Sequence, residues 1–467
     1  MTSVHATDEL ARLDAVGLAA AIAAGNVSPR EATEAAISRV ADLEPALNAL
    51  VVTDFDRALA HAGSPAPGVF SGVPTVIKDN TDVFGLPTQH GSRAMPEIAA
   101  EADAPFVTEF RSTGVVVIGK STLPAFGFNA TTEFDGAQPT RNPWNLDYSC
   151  GASSGGSAAL VASGVVPIAH ANDGGGSIRI PAAACGLVGL KPSRGRVVDP
   201  SEAASLPVNI LANGVVTRSV RDTAAFLAAA ETYKPAVGLP EIGHVEGPAD
   251  RRLRIGLIID SVSGVRTDDE TRAAVQETAL LLEKLGHEVV EIEAPVGERF
   301  ISDFTHYWAL LGFSTQKFGT RIFAKGFDAK NTDPLTQFLA KRFVRQVWKT
   351  PGAISALRKS AAAYAAGFER SGVELVLSPT VSHTTPRIGY LSPEVEFPEM
   401  FERLQRYVAF TPLHNASGAP AVSLPAGLTA EGLPIGVHLS ARMGHERTLL
   451  ELAYELEAAR PFPTLLA

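Results

Sequence analysis

The sequence from Gly151 to Pro192 reads GASSGGSAALVASGVVPIAHANDGGGSIRIPAAACGLVGLKP and contains two clusters of glycine and serine. A small, apolar, helix-like run from Ala158 to Val166 follows the first cluster, and an apolar segment also follows the second. Such clusters are usually flexible linkers, but a linker would be bordered by polar residues. The flanks therefore indicate buried turns between strands and helices of a folded core.

Ser177 follows three consecutive glycines, Gly174, Gly175 and Gly176. Glycine has no Cβ and adopts positive φ at little cost, so the N–H groups of such a loop can turn toward an anion. A serine among these amides suits a nucleophile whose intermediate carries a negatively charged oxygen. The sequence predicts an enzyme with Ser177 as its candidate nucleophile.

The composition is that of an ordinary globular enzyme. Of 467 residues, 45% are hydrophobic and 19% are charged, and the formal net charge is −10. Nucleic-acid binding needs clustered Lys and Arg, so we expect no nucleic-acid partner. Cys150 and Cys185 form neither a metal-type spacing nor a disulfide framework, and no pair of histidines has metal-site spacing. We expect no metal.

The N-terminal sequence MTSVHATDELARLDAV lacks the basic and apolar regions of a signal peptide. No uninterrupted run of about 18 apolar residues exists that could cross a bilayer. The sequence therefore predicts a cytoplasmic protein without a membrane partner.

Strand-like and helix-like runs alternate along the chain. Ser28 to Glu31 reads as a capping box that opens a helix from Glu31 to Leu43. Other expected helices cover most of residues 14–62, 106–112, 269–285 and 446–459, and residues 300–398 are expected to be mainly helical. Expected strands cover residues 73–78, 115–119, 254–260, 287–293, 375–380 and parts of 418–439. This alternation predicts a layered α/β fold around a mixed or mostly parallel sheet.

Residues 114–121 match the P-loop pattern G-x-x-x-x-G-K-[ST]. In a nucleotide-binding loop, free backbone N–H groups lie between the two glycines. Here a strand-like apolar run lies between them, and its amides would belong to a sheet. We interpret the match as accidental.

A second pattern, G-x-S-x-G, occurs at residues 151–155 and would make Ser153 the nucleophile of an α/β-hydrolase-type esterase. His383, His414 or His438 would then act as the base. An elbow of this kind follows an apolar strand, whereas residues 145–150 look polar and turn-like. This reading also leaves the triple glycine unexplained.

Several ordered motifs together resemble the amidase signature family of hydrolases across nearly the whole chain. The motifs are GVPTVIKDN (72–80), GKSTLP (119–124), NPWN (142–145), SSGGS (153–157), DGGGSIRIP (173–181), CGLVGLKP (185–192), GAPAVSLP (418–425) and GLPIG (432–436). The resemblance implies a single domain over residues 1–467, with a central mixed β-sheet covered by α-helices on both faces. It would contain an N-terminal helical segment (1–65), a core with the catalytic motifs (66–235) and a variable, mainly helical pocket region (300–400).

The resemblance also implies a Ser–cisSer–Lys catalytic triad. Lys78 matches the family's lysine, Ser153 the serine that follows a cis peptide bond, and Ser177 the nucleophile. The oxyanion hole carries over to the backbone amides of Gly174, Gly175, Gly176 and Ser177. Two positions depart from the family pattern, because Ala152 replaces the usual Gly and Asn172 the common Thr. The form NDGGGSIRIPA resembles bacterial amidases that act on aryl amides or on 6-aminohexanoate (nylon) oligomers.

The proposed roles place a physical demand on Lys78. A serine hydroxyl is a weak nucleophile until a base removes its proton. Lys78 can be that base only as a neutral amine, so its pKa must fall from about 10.4 to about 7–8. Val76 and Ile77 are consistent with delivery of Lys78 into a buried site, whereas the adjacent Asp79 would oppose the shift.

The resemblance implies a cofactor-free amidohydrolase that cleaves the carbon–nitrogen bond of a small linear amide of the aryl, alkyl or nylon-oligomer type through a seryl acyl-enzyme. Ester and carbamate cleavage are expected side activities, and a homodimer is the expected assembly. Pocket walls are expected from the region 300–400 and from Phe126, Phe128 and Asn129, which lie next to the catalytic motifs.

Two further alternatives remain open besides the esterase. The chain could be the glutaminase subunit of a tRNA-dependent amidotransferase, although Ile180 stands where that subunit usually has Gln. It could also be a non-catalytic binding protein. Activity on glutamine or on an aryl amide would separate these readings.

Overall fold

The computed structural model describes residues 3–466. Met1, Thr2 and Ala467, which belong to the predicted domain 1–467, lie outside the described residues. The β-strands are β1 (Leu50–Thr53), β2 (Pro74–Lys78), β3 (Val116–Ser121), β4 (Arg141–Asn142), β5 (Asn145–Ser149), β6 (Ile168–Asp173), β7 (Val188–Lys191), β8 (Ala212–Thr217), β9 (Arg254–Leu257), β10 (Glu288–Glu291), β11 (Leu375–Pro379), β12 (Ala421–Leu428) and β13 (Pro434–Ala441).

The α-helices are α1 (Glu9–Arg12), α2 (Ala15–Ala23), α3 (Pro29–Leu47), α4 (Phe55–Ala62), α5 (Pro105–Arg111), α6 (Gly155–Ala162), α7 (Arg179–Cys185), α8 (Val220–Tyr233), α9 (Asp269–Lys284), α10 (Arg299–Ile322), α11 (Pro334–Val344), α12 (Thr350–Ser371), α13 (Glu399–Tyr407), α14 (Pro412–Ser417) and α15 (Glu446–Ala459). Within residues 3–466, no helix is both long and apolar enough to cross a membrane.

An eight-stranded sheet forms the centre, in the order β10-β9-β11-β13-β12-β7-β8-β6. Strand β9 runs parallel to β10 and β11, while the other neighbouring pairs are antiparallel. The predicted strand–helix–strand unit is therefore confirmed as β9–α9–β10. The sheet is mixed, as predicted.

Helices cover both faces of this sheet. Side chains alternate between the two faces along a strand, and β6 shows the division: Ile168 joins the apolar cluster under α8, α9 and α15, whereas Ala169 and Ala171 join the cluster under α6 and α7. The predicted α/β architecture with helices on both faces is confirmed.

A separate three-stranded sheet, in the order β1-β3-β2, carries the predicted lysine at the end of β2. Most of residues 14–62 are helical, as predicted, but strand β1 interrupts the helices. Its Leu-Val-Val-Thr sequence favours a strand, and it pairs antiparallel with β3. The two strands approach so closely that a Cβ on Gly119 would overlap the carbonyl oxygen of Val52.

Local signals set several helix ends. Ser28 and Glu31 form the predicted reciprocal capping box at the start of α3, with Pro29 at the first helical position. The helix continues to Leu47, beyond the predicted end at Leu43. Helix α15 has the predicted bounds.

Candidate active site

The triple glycine forms a sharp turn between strand β6 and helix α7. Gly176 has φ of 138°, and a Cβ there would overlap the Thr411 hydroxyl. Only glycine fits this conformation and this space. The Thr411 hydroxyl also donates to the carbonyl of Gly175 (2.6 Å). The turn leaves Ser177, which is 8% exposed, at the surface of a cleft.

Asp173 anchors this turn from inside the protein. Its carboxylate accepts hydrogen bonds from the Arg179 Nε (2.9 Å) and Nη2 (2.9 Å) atoms and from Asn415 Nδ2 (2.8 Å). Burial alone would raise the pKa of Asp173, but the Arg179 guanidinium holds it well below its usual range. The carboxylate therefore stays ionised and fixes the loop in place.

The four amides predicted as an oxyanion hole are not equivalent. The N–H of Gly176 donates to Asp173 Oδ1 (2.7 Å), so it is already committed to the protein. Among residues 3–466, no backbone or side-chain acceptor engages the N–H groups of Gly174, Gly175 and Ser177. Three of the four amides are free to bind an oxygen atom of a ligand.

Lys78 ends strand β2 and is fully buried. Its Nζ lies 2.7 Å from Ser153 Oγ and 2.7 Å from Asn172 Oδ1. Burial lowers the pKa of Lys78 to about 7, against the opposing negative charge of Asp173. An amine with this pKa is substantially neutral near pH 7 and can accept a proton from an alcohol.

Asp79 does not oppose the lowering of the Lys78 pKa in the way expected from the sequence. Its Oδ1 lies 2.7 Å from the Nζ of buried Lys120, on the neighbouring strand β3. The carboxylate is thereby paired with another lysine, and the charge that raises the pKa of Lys78 is that of Asp173. Because Lys120 lies in β3 and binds Asp79, the P-loop pattern at residues 114–121 is accidental, as predicted.

Ser153 follows a cis peptide bond from Ala152 and precedes helix α6. Gly127 lies against it, since a Cβ at Gly127 would come within 2.9 Å of Ser153 Oγ. The hydroxyl of Ser177 makes no side-chain hydrogen bond within residues 3–466, and it lines the same cleft as Ala152 and Gly127.

The histidines proposed for an esterase lie elsewhere. His414 and His438 contact the Arg179 guanidinium, and the ring of His383 bonds to the neighbouring backbone carbonyl of Thr384. In the described chain, Ser153 has a hydrogen bond with Lys78 and none with a histidine. Residues 145–149 form a short strand rather than the predicted turn, but it pairs with β4 in a two-stranded sheet and not with the central sheet.

A cleft of about 700 Å³ opens above Ser177, and none of the described residues that line it has a charged side chain. Its apolar walls include Phe128, Ile180, Phe300, Phe304, Trp308 and Phe401. Phe128 and Asn129 line it as predicted from the sequence. Phe126 is not among the lining residues, because its backbone has φ of 51° and its ring packs against His90, Phe323 and Phe327.

Helix α10 lies in the predicted pocket region 300–400, and it supplies pocket residues that were not predicted individually. Phe304 and Trp308 line the cleft, whereas Tyr307 on the same helix is fully buried and donates to the Val208 carbonyl (2.7 Å). Phe304 and Trp308 are four residues apart, so they lie on the same face of the helix. Which aromatic face would meet the catalytic loop could not be predicted from the sequence.

The family model for amidases matches residues 31–450 of this chain. The chain belongs to the amidase signature family. It is 48% identical to "Putative amidase AmiC" of Mycobacterium tuberculosis over 99% of this chain and 98% of that protein. It is 35% identical to the 6-aminohexanoate-cyclic-dimer hydrolase of a Pseudomonas species over 96% and 95% of the two chains.

A solved amidase structure has the same fold. The structure of 6-aminohexanoate cyclic dimer hydrolase superimposes with a TM-score of 0.87 at 32% identity, covering 97% of this chain and 98% of that one. Membership of the amidase signature family makes this chain an amide-hydrolysing enzyme that acts on carbon–nitrogen bonds.

Proposed function

We propose that this amidase works through a seryl acyl-enzyme in which Ser177 is the nucleophile, Ser153 the proton relay and Lys78 the base. The observation that carries the proposal is the 2.7 Å hydrogen bond between Ser153 and a buried lysine whose pKa is lowered to about 7. An uncharged amine buried beside one serine, under a cleft lined by a second serine, is an arrangement suited to activating an alcohol.

The reaction has two halves. Ser177 Oγ attacks the amide carbonyl carbon while its proton passes to Ser153 Oγ, whose own proton passes to Lys78 Nζ. The relay then returns a proton to the leaving nitrogen, the carbon–nitrogen bond breaks and the amine departs. A water molecule attacks the acyl-enzyme by the same relay, releasing the carboxylic acid and restoring the Ser177 hydroxyl.

The amides of Gly174, Gly175 and Ser177 are proposed to bind the oxyanion in both halves. Their N–H groups have no acceptor among residues 3–466, whereas the Gly176 amide holds Asp173. The cost of removing one such donor in related chemistry is about 10²–10³ in rate. The bond from Gly176 to Asp173 instead keeps the turn rigid before the substrate binds.

We propose an amide of aryl, alkyl or nylon-oligomer type as the substrate, with an uncharged part of the molecule bound in the cleft. A charged group brought into an apolar cleft without a partner loses its hydration, and residues 3–466 contribute no charged side chain to the lining of this cleft. Ile180 is part of the apolar wall, at the position where a glutaminase subunit would have Gln. The cleft thus favours an apolar acyl or amine group over glutamine, whose α-amino and α-carboxylate groups are charged.

Labelling with a fluorophosphonate followed by peptide mass spectrometry tests the nucleophile. The expected label is on Ser177 and disappears in Ser177→Ala. A label on Ser153 would instead support the esterase reading. Incubation with glutamine and separately with an acyl anilide tests the substrate class, and turnover of glutamine alone would overturn it.

The proposal involves no cofactor, nucleic acid or membrane, and it includes a cytoplasmic homodimer. Light scattering on the purified chain measures the assembly directly. A monomer at micromolar concentration would remove the dimer from the proposal without affecting the chemistry.

A further inference from the structure

We propose that Asn172 is a positioning residue that aims the lone pair of neutral Lys78 at Ser153, and that Asn80 holds Asn172 in the orientation this requires. The inference rests on the proposed function, because it assumes that Lys78 acts as the base.

The stereochemistry of a neutral amine gives Asn172 this role. A neutral lysine carries two N–H donors and one lone pair, and the lone pair must face the alcohol whose proton it takes. Lys78 Nζ has two polar side-chain partners within residues 3–466, Ser153 Oγ and Asn172 Oδ1, both at 2.7 Å. A carbonyl oxygen only accepts. It therefore binds one N–H of Lys78 and leaves the lone pair free to rotate toward Ser153.

The opposite orientation of the Asn172 amide would defeat this arrangement, because an NH2 group there would occupy the lone pair. Asn80 prevents the flip. Its Oδ1 accepts a hydrogen bond from Asn172 Nδ2 (3.0 Å), so the donor end of the Asn172 amide is held away from Lys78. Asn80 is only half-buried and makes no contact with Lys78 through its own side chain in the hydrogen-bond network.

An amide is suited to this position because it accepts a hydrogen bond without carrying a charge. A carboxylate at residue 172 would stabilise the ammonium form of Lys78 and move the base toward its ordinary protonation range. The titratable groups that surround Lys78 are Asp173 and His170 on β6, Lys120 on β3, and Asp79 and His90 on the segment after β2. Asp173 is paired with Arg179 and Asp79 with Lys120, while burial lowers the pKa of both histidines to about 3.

The test is the pH dependence of kcat/KM on a neutral acyl anilide for Asn172→Asp, Asn172→Ala and Asn80→Leu. Asn172→Asp should move the acid limb of the profile up by one pH unit or more, on the order of the effect of an adjacent opposite charge. Asn172→Ala should lower kcat by roughly 10–100-fold with little change in KM. Asn80→Leu should give a smaller loss of kcat in the same direction.

Asn80→Leu lies at a partly exposed position and keeps the experiment informative if a change at buried Asn172 prevents folding. Unchanged kcat in both Asn172→Ala and Asn80→Leu, together with an unmoved acid limb in Asn172→Asp, would overturn the positioning role. Failure of the proposed function has a different signature, which is full activity of Lys78→Ala.

A second observation, independent of Asn172, concerns the wall of the cleft. We infer that Gln405 and Thr305 form a polar subsite for an uncharged hydrogen-bonding group on the substrate, such as a second amide. Both side chains line an otherwise largely apolar cleft, and Gln405 Nε2 donates to Thr305 Oγ1 (2.9 Å). This inference deepens the proposed function and rests on it.

The pair has unused hydrogen-bonding capacity. Within residues 3–466, Gln405 makes one side-chain hydrogen bond, which leaves its Oε1 and one N–H without a partner. A plain alkyl chain would desolvate these groups without replacing their hydrogen bonds, which is unfavourable. A substrate with an amide at this point would pair with them. Neither Gln405 nor Thr305 carries a charge, so a charged group would lack a counter-ion.

The test compares two anilides of equal chain length, heptanoyl anilide and the anilide of adipic acid monoamide, with kcat/KM measured for both. The wild type should prefer the monoamide, and Gln405→Leu should reverse or reduce this preference by tenfold or more. Ile301→Val, another change in the cleft lining, is the matched control and should leave the ratio within about twofold. A ratio that Gln405→Leu and Thr305→Val both leave unchanged would overturn the subsite, whereas loss of activity on both anilides in Ser177→Ala concerns only the proposed function.

Discussion

Two lysines on neighbouring strands, Lys78 on β2 and Lys120 on β3, show how the same side chain acquires two roles. Both are fully buried. Lys120 Nζ lies 2.7 Å from Asp79 Oδ1 and also donates to Thr88 Oγ1 (2.7 Å). Within residues 3–466, the oxygens at hydrogen-bond distance from Lys78 Nζ are both uncharged, those of Ser153 and Asn172.

The difference between the two sites is the position of a carboxylate. Burial lowers the pKa of both lysines, but the carboxylate of Asp79 counteracts this at Lys120. At Lys78 the pKa falls to about 7, since Asp173 acts from a greater distance and is itself paired with Arg179. A buried lysine therefore stays charged when a carboxylate contacts it, and its pKa falls when its contacts are neutral. Lys78 differs from other buried lysines of lowered pKa because one of its neutral contacts is a serine hydroxyl.

The largest expected effect is that of removing Lys78, the proposed base. Lys78→Ala should lower kcat by about 10³–10⁴-fold, because general-base assistance to the serine is lost. The matched control is Lys191→Met. Lys191 is also buried with a pKa lowered to about 7, yet the one hydrogen bond of its Nζ within the described part of the chain goes to the Pro192 carbonyl (2.7 Å). The measurement is the steady-state turnover of an acyl anilide. An equal fall in Lys78→Ala and Lys191→Met would contradict the special role of Lys78.

Breaking the ion pair between Asp79 and Lys120 should lower the stability of the protein and leave the chemistry of the site unchanged. Asp79→Asn leaves the charge of Lys120 buried without its partner, which should lower the free energy of unfolding by about 3–5 kcal/mol. Urea denaturation followed by circular dichroism measures the change. A loss below about 1 kcal/mol would mean that Asp79 and Lys120 do not form a tight, buried pair.

Replacing Lys78 should instead raise the free energy of unfolding. The folded state holds Lys78 at a pKa of about 7, below its unfolded value of about 10.4, so the unfolded chain binds more protons and stability rises with pH between these values. Lys78→Met removes this cost but also two hydrogen bonds, and we expect a net gain of about 1–3 kcal/mol at pH 7. Urea denaturation should show a smaller gain in the free energy of unfolding at pH 10 than at pH 7. An equal gain at both pH values would contradict the lowered pKa of Lys78.

The smallest expected effect is the response of activity to pH. Only the neutral amine of Lys78 accepts a proton, so kcat/KM should fall about tenfold for each pH unit below about 7 and level off above it. Lys191→Met should keep the same acid limb. If that variant loses the limb, the titration belongs to Lys191 and not to Lys78.

Much of the scaffold could be predicted because its signals are local. The capping box at Ser28 and Glu31 starts α3, and α15 has the bounds that its periodicity predicted. Strand β1 was missed because four residues between two helices give little periodicity. Its identity depends on pairing with β3, which lies almost 70 residues further along the chain.

In the candidate site, too, the local features could be predicted from the sequence, whereas the contacts between distant segments could not. The motifs around Lys78, Ser153 and Ser177 were evident in the sequence, and the cleft residues Phe128 and Asn129 lie next to them. The orientation of Asp79 toward Lys120 and of Phe126 away from the cleft could not be predicted, because each depends on side chains from other segments.

By itself, the amino-acid sequence determined the strand that buries Lys78 and the glycines that allow the turn before Ser177, since both follow from side-chain polarity and backbone freedom within a few residues. Only the tertiary structure decided which lysine meets a carboxylate, which amide meets Lys78 and which faces of α10 and α13 close the cleft. Some of those contacts join segments more than two hundred residues apart in the sequence. Their energies depend on the distances between the groups and on how deeply the groups are buried, and both are set only when the chain folds.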